Sequence, residues 1–185
     1  MRLLDALLGR SQPARSTLEP LFAMATAAVT LTVELGLAPA ARAGVCLRPV
    51  RSRRFHEAEA EMRAILDGAA TQVELRRDSH GFLWVILQNP EMEELIAATH
   101  MASLTLQEHG FGEQLLAAVF KFRQGLKPVY WIYNYKRGAF YPLVPTEVEH
   151  QRDNATELRL QSLMEHELPV EKEQERWFPL WDTPL

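Results

Sequence analysis

Val129–Pro145 reads VYWIYNYKRGAFYPLVP. In an extended chain Val129, Trp131, Tyr133 and Tyr135 fall on one face, and Tyr130, Ile132 and Asn134 on the other. That period of two, carried by aromatic and β-branched residues, predicts a strand. Lys136-Arg137-Gly138 predicts the turn, because Gly138 can take the positive φ that a tight hairpin needs. Ala139, Phe140, Tyr141, Leu143 and Val144 return the chain. Pro142 has no N–H for a ladder, so this return strand belongs at a sheet edge or ends in a bulge. All four tyrosines of the chain lie in this hairpin. Two readings stand side by side: an aromatic sheet core, or a surface that meets a partner.

Working outward, a second hairpin has the same form. Val73 and Leu75 alternate with Glu74 and Arg76, and Asp78-Ser79-His80-Gly81 supplies a turn. Phe82–Leu87, FLWVIL, is a continuous apolar run, as expected of a central strand buried on both faces, and Asn89-Pro90 ends it. Val29, Leu31, Val33, Leu35 and Leu37 alternate with polar or small residues and predict a half-buried strand. Val45 and Leu47 predict its partner after a loop over 39–44. Helical spacing marks Phe55–Leu66 and Met92–Ala102, closed by Gly68 and Gly110. Leu115, Leu116, Val119, Phe120 and Phe122 read as a further apolar helix face. A last helix should start at Thr146 or Glu147. Near the start, Ser16-Thr17-Leu18-Glu19 matches a capping box ahead of a short helix through Met24. Residues 1–10, MRLLDALLGR, form an amphipathic helix too short to stand alone; it docks on its own domain, a partner helix or a membrane surface. Residues 169–185 end in RWFPLWDTPL, without helix or strand period; this aromatic tail either wraps back or seats in a partner's groove.

The chain has 185 residues, 47% hydrophobic, enough for one domain over 1–185 with a sizeable core. The net charge of −4 gives no argument for nucleic acid. Charge is uneven, however. Five arginines and no acid lie between Arg42 and Arg54, which is either a solvated loop or a site for phosphate or anionic lipid. From Glu147 to Arg176 nine acids face four bases. Cys46 is the single cysteine, so no internal disulfide forms. Leu21–Val33 is too short to span a membrane, and the N-terminus lacks the pattern of a signal peptide. These features are those of a cytoplasmic protein.

Catalytic signals are weak. HExxH, GxSxG, Walker and GxGxxG patterns are all missing. The six histidines show no ligand spacing, and His56 with Glu59 offers only two ligands on an exposed helix face. No metal, cofactor or catalytic residue is expected. The chemistry-neutral candidates for partner contact are Tyr133, Tyr135, Arg137, Trp177 and Trp181.

Several stretches resemble the PspA-associated protein PspAB family of the phage-shock envelope-stress system. They are LLDALLGR, LFAMATAAVTL, DSHGFLWVIL, YNYKRGAFYPLVP, RDNATELRL and ERWFPLWDTPL, in order along nearly the whole chain. The resemblance implies a non-enzymatic interaction protein. Its partner would be PspA, a coiled-coil membrane remodeller, or an associated membrane metalloprotease of the HtpX kind. It implies a cytoplasmic adaptor, and a membrane-surface contact of the N-terminal helix would place it at the inner face of the membrane. The fold expectation is α+β: an antiparallel sheet of hairpins with helices packed mainly on one face, in the order α-β-β-α-β-β-α-β-β-α. Secretion-chaperone-like domains share such an order. That analogy brings the alternative of a client peptide held in an apolar groove, and of homodimerisation.

Overall fold

The computed structural model describes residues 18–69, 71–181 and 183–185. The helix expected over residues 1–10, and Ser16 and Thr17 of the expected capping box, lie outside them. Six strands form one antiparallel sheet: β1 (Ala38–Leu47), β2 (Gln72–Arg77), β3 (Leu83–Gln88), β4 (Leu115–Gln124), β5 (Lys127–Asn134) and β6 (Ala139–Leu143). Their spatial order is β2-β3-β1-β4-β5-β6. The helices are α1 (Ala23–Val33), entered by a 3-10 turn at Glu19–Phe22, α2 (Arg53–Gly68), α3 (Met92–Glu108) and α4 (Asn154–Met164). The α+β expectation holds.

Both hairpins form as their period and turns predict. β2 and β3 pair Leu75 with Val85, and Gly81 turns the chain at φ +83°. β5 and β6 pair Tyr133 with Phe140, and Gly138 sits at φ +64°. β6 is an edge strand, as Pro142 requires. Its outer side is then joined by the chain at 169–171: Phe140 N donates to Pro169 O and Glu171 N to Phe140 O, both at 2.8 Å.

Four expectations are corrected. Val29–Leu37 is not a strand, because α1 runs to Val33. Met24, Ala27, Ala28 and Leu31 are buried at helical spacing, while Val29 and Val33 are exposed. Thr32 tolerates the helix by donating Oγ1 to Ala28 O at 2.7 Å. Gly36 at φ +63° closes it, with Leu37 N reaching back to Leu31 O. Leu115–Phe122 is not a helix face but most of β4. Phe120 and Phe122 point into the helix side and Ala117 and Val119 to the other, so the apolar run is continuous and carries no readable period. The last helix begins at Asn154, capped by Asp153, whose side chain accepts from Thr156 N; the chain before it is a turn with His150 at φ +57°. The segment 39–44 lies within β1, around a bulge where Ala41 has φ +56°. The basic run is therefore divided: Arg42 is in β1, and Arg53 and Arg54 open α2 behind the cap Ser52, which accepts from Phe55 N.

The sheet has two apolar faces. On the first, Val45, Val85, Phe120, Trp131, Tyr133 and Phe140 meet the helices in one large core. α3 lies against β1 and β3 and touches α1 and α2. Its buried Thr99 and Ser103 each return a hydroxyl to the carbonyl four residues back at 2.7 Å. On the second face lie Cys46, Trp84, Ile86, Val119, Ile132, Tyr141 and Leu143, and the tail covers them with Trp177 and Leu185, aided by Leu180 and Trp181. The tail thus wraps back on its own domain.

Gly44 is where the tail's end seats. A Cβ there would meet Leu185 Cδ2 at 3.2 Å and Trp84 Cε3 at 3.3 Å. Gly44→Val should displace Leu185 and cost about 1–3 kcal/mol by overpacking. Urea denaturation should show this as a lower midpoint with faster carboxypeptidase trimming; an unchanged midpoint and trimming rate would contradict the seating.

Candidate functional site

The tail lies on the second face as irregular chain rather than as a helix, so it cannot fill that face evenly. Between the tail and the sheet there remains a cleft of about 820 Å³. Its floor is Cys46, Trp84, Ala117 and Tyr141; Phe82 and His80 stand on the β2–β3 side, and Leu180, Trp181 and His150 on the tail side. The cleft is mostly aromatic and aliphatic, with a few polar groups at the rim, as is usual for sites that take a ligand or a peptide segment.

Local turn chemistry positions the floor. Asp78 starts the β2–β3 turn, and its Oδ1 accepts from His80 N and Phe82 N at 2.9 Å. Its Oδ2 accepts from Trp84 Nε1, also at 2.9 Å, so the turn carboxylate holds the indole flat on the floor. Tyr141 OH donates to Phe178 O at 2.9 Å and ties the tail to β6.

Two clamps guide the tail onto the face. In the first, Arg152 Nε donates to Glu157 Oε2 at 2.7 Å, Nη1 to Trp177 O at 3.0 Å and Nη2 to Pro142 O at 3.3 Å. The guanidinium lies 5.8 Å over the Trp177 ring, which stacks on Tyr141. Glu157 also accepts from Val144 N at 2.8 Å. In the second, the Glu171 carboxylate pairs with Arg137 and accepts from Glu173 N, while Trp177 Nε1 donates to Glu171 O at 3.0 Å. Burial alone would raise the Glu171 pKa; the hydrogen bonds from Glu173 and Arg137 and the nearby arginine charges outweigh it and leave the carboxyl below its ordinary value.

The five residues singled out in the sequence are brought together only in part. Tyr133 and Tyr135 are 0% and 1% exposed on the helix side, where Tyr135 OH bonds Ser103 Oγ. Neither ring is at the surface in this state; both belong to the helix-side core, where their burial is a hydrophobic gain. Arg137 and Trp177 serve the clamps, and Trp177 is 4% exposed. Trp181 alone lines the cleft, 5.7 Å from the His150 ring. Sequence reasoning missed Trp84, Tyr141 and Phe178. Phe178, 59% exposed beside the cleft, stood in the quoted tail and could have been separated from Trp177 only by knowing the tail's route.

The groups with reactive side chains are not poised for chemistry on their own. Burial, with the Asp78 charge beside it, pushes the Cys46 thiol up to about 12, and burial raises Tyr141 as well. Among the described residues no three His, Cys, Asp or Glu side chains converge as a metal would need, and no helix is long and apolar enough to cross a membrane.

Two outcomes follow from these environments. Glu171 has a lowered folded-state pKa, so its contribution is fully present above the ordinary value of 4.5 and is lost as pH falls below it. Acid titration of Trp fluorescence should therefore show the tail loosening below pH 4.5, and Glu171→Gln should remove that step; a step that survives the substitution assigns it to another group. Cys46, moved from 9.0 to about 12, should hold roughly a thousandfold less thiolate than a free cysteine and react correspondingly slowly with a thiol reagent at pH 8 until the protein is denatured. Prompt labelling of the native protein would refute this burial.

The whole chain, residues 1–185, matches the family model of PspAB, PspA associated protein B. No curated protein matches it. The chain belongs to the PspAB family, as the quoted stretches implied.

Proposed function

We propose that this PspAB chain is a non-enzymatic adaptor of the phage-shock envelope-stress response, cytoplasmic and active beside the membrane. Its partner is a PspA-like coiled coil or an associated membrane protease. The observation that carries the reading is the second sheet face. Its cover is a clamped but irregular tail, and beside that tail an aromatic cleft of about 820 Å³ stays open with Phe178 exposed at its edge. An apolar cleft of this size suits a short amphipathic segment, whose anchors would stack on Trp84, Trp181 and Tyr141 while its backbone meets the polar rim. The family's association with PspA supports a PspA-related protein partner.

The same cleft supports a second reading, a chaperone-like protein that holds a client peptide. Phe82, Trp84, Leu116 and Leu180 would offer an unspecific apolar lining. The adaptor reading is preferred because a fixed rim with Asp78, Lys136 and His150 favours one charge pattern over many.

Removing the tail would uncover the second core, so truncation is a poor test. Point changes at its exposed side are cleaner. Tagged full-length protein should recover the PspA-like protein or protease from its host, and Phe178→Ser should reduce recovery at least tenfold while the melting curve holds. Equal recovery by the variant would move the contact away from the cleft. Suppression of client aggregation without specific recovery would favour the chaperone reading.

A further inference from the structure

The β4–β5 hairpin end of the sheet carries a second feature that shares no lining residue with the cleft. A two-residue turn, Gly125-Leu126, joins Gln124 to Lys127. Gly125 takes φ +61°, and Leu126 at the tip is fully exposed. Turn geometry asks for the glycine but asks for no leucine beside it; polar residues are the usual occupants. Behind the tip, a shallow groove of about 380 Å³ is lined by Arg42 from β1, Lys121 and Arg123 from β4, and Tyr130 from β5.

No acid lines this groove, and among the described residues Arg42, Lys121 and Arg123 form no ion pair. Lys121 lies 5.9 Å over the Tyr130 ring, a partial compensation only. Burial, and then the Arg42 charge, lower the Lys121 pKa, so the like charges press on each other. Lys127 flanks the tip and is felt by Asp153. In a chain of net charge −4 these cations are a local concentration, not a general excess. A fold gains nothing from such a cluster unless an anion relieves it.

We propose that this end of the sheet docks on an anionic lipid bilayer, with Leu126 entering the interface and Arg42, Lys121 and Arg123 meeting headgroup phosphates. The charge complementarity selects an anionic surface, and the exposed leucine at the hairpin tip selects lipid over a soluble anion, which would have no use for it. A tip residue inserts into the headgroup boundary as apolar residues of interfacial segments do, while basic side chains gather at the phosphates. This surface would hold the adaptor at the membrane without the cleft being filled. Its failure would therefore leave the proposed function standing, and the reverse also holds.

The test is sedimentation of the full-length protein with vesicles of phosphatidylcholine containing about a third phosphatidylglycerol, against pure phosphatidylcholine. Wild type should bind the anionic vesicles and release in high salt. Each basic residue near the surface contributes roughly fivefold, so Arg42→Gln with Arg123→Gln should weaken binding by about 25-fold. Leu126→Ser should weaken it as well, and unchanged melting curves will exclude unfolding. Equal binding to neutral vesicles, or wild-type binding by the charge variant, would overturn the proposal and point to residues 1–17. Full vesicle binding by Leu126→Ser, with loss in the charge variant, would overturn the lipid assignment in favour of a free phosphate site. No vesicle binding at all would overturn it in favour of an acidic protein segment.

Discussion

A sheet with two apolar faces must have two covers, and the described helices fill only one. α1, α2 and α3 fill the first face. The second, with Trp84, Ile86, Val119, Ile132 and Tyr141, would face water without the tail. Arg152 makes the tail serve as a cover. Its guanidinium satisfies a buried carboxylate and two backbone carbonyls at once, joining the first turn of α4, the end of β6 and the tail at Trp177. A buried ion pair is a weak source of net stability, but losing one partner leaves the other charge uncompensated, at about 3–5 kcal/mol. Its main effect here is on geometry: the tail can leave the face only by breaking hydrogen bonds that no neighbouring group replaces.

The way this cover is built sets what the face can do. A packed helix would have sealed the sheet with a regular stripe of side chains. The irregular tail instead places Trp177 and Leu185 into the sheet and turns Phe178 outward. The tail residues between these anchors, Phe178 to Trp181 and Thr183, line the cleft. Segments held by few contacts occupy the low end of a protein's local stability, where binding elements are found. The clamp at Glu171 adds a charge-dependent contact to that end, since its carboxylate must be ionised to hold Arg137.

The hairpin Val129–Leu143 was legible from a period of two, a glycine at the positive-φ turn and a proline at the edge, and Leu83–Gln88 from a short apolar run bounded by turn residues; all of these signals are local. Val29–Leu37 was misread for an equally local reason. Thr and Val alternate there, but Met24, Ala27, Ala28 and Leu31 make a helical stripe once a core lies beneath them. Leu115–Gln124 hid its strand because both of its faces are covered, which erases alternation. At the site, Trp181 was legible as an aromatic of the tail. Trp84 and Tyr141 were not, because neither the continuous apolar run around Trp84 nor the return strand of Tyr141 says which sheet face is left partly open.

By itself the sequence determined the hairpins, the α+β class, the family and the two-sided apolar character of Leu83–Gln88, since period, turn chemistry and motif identity are properties of neighbouring residues. Only the tertiary structure decided that Tyr133 and Tyr135 lie in the helix-side core, that Arg137 and Trp177 are clamps, and that the tail covers the second face. Those outcomes depend on Arg152 meeting Glu157 and Trp177, and on Leu185 finding the notch at Gly44. Such pairings are made across space between segments distant in the chain, where no local pattern encodes the partner.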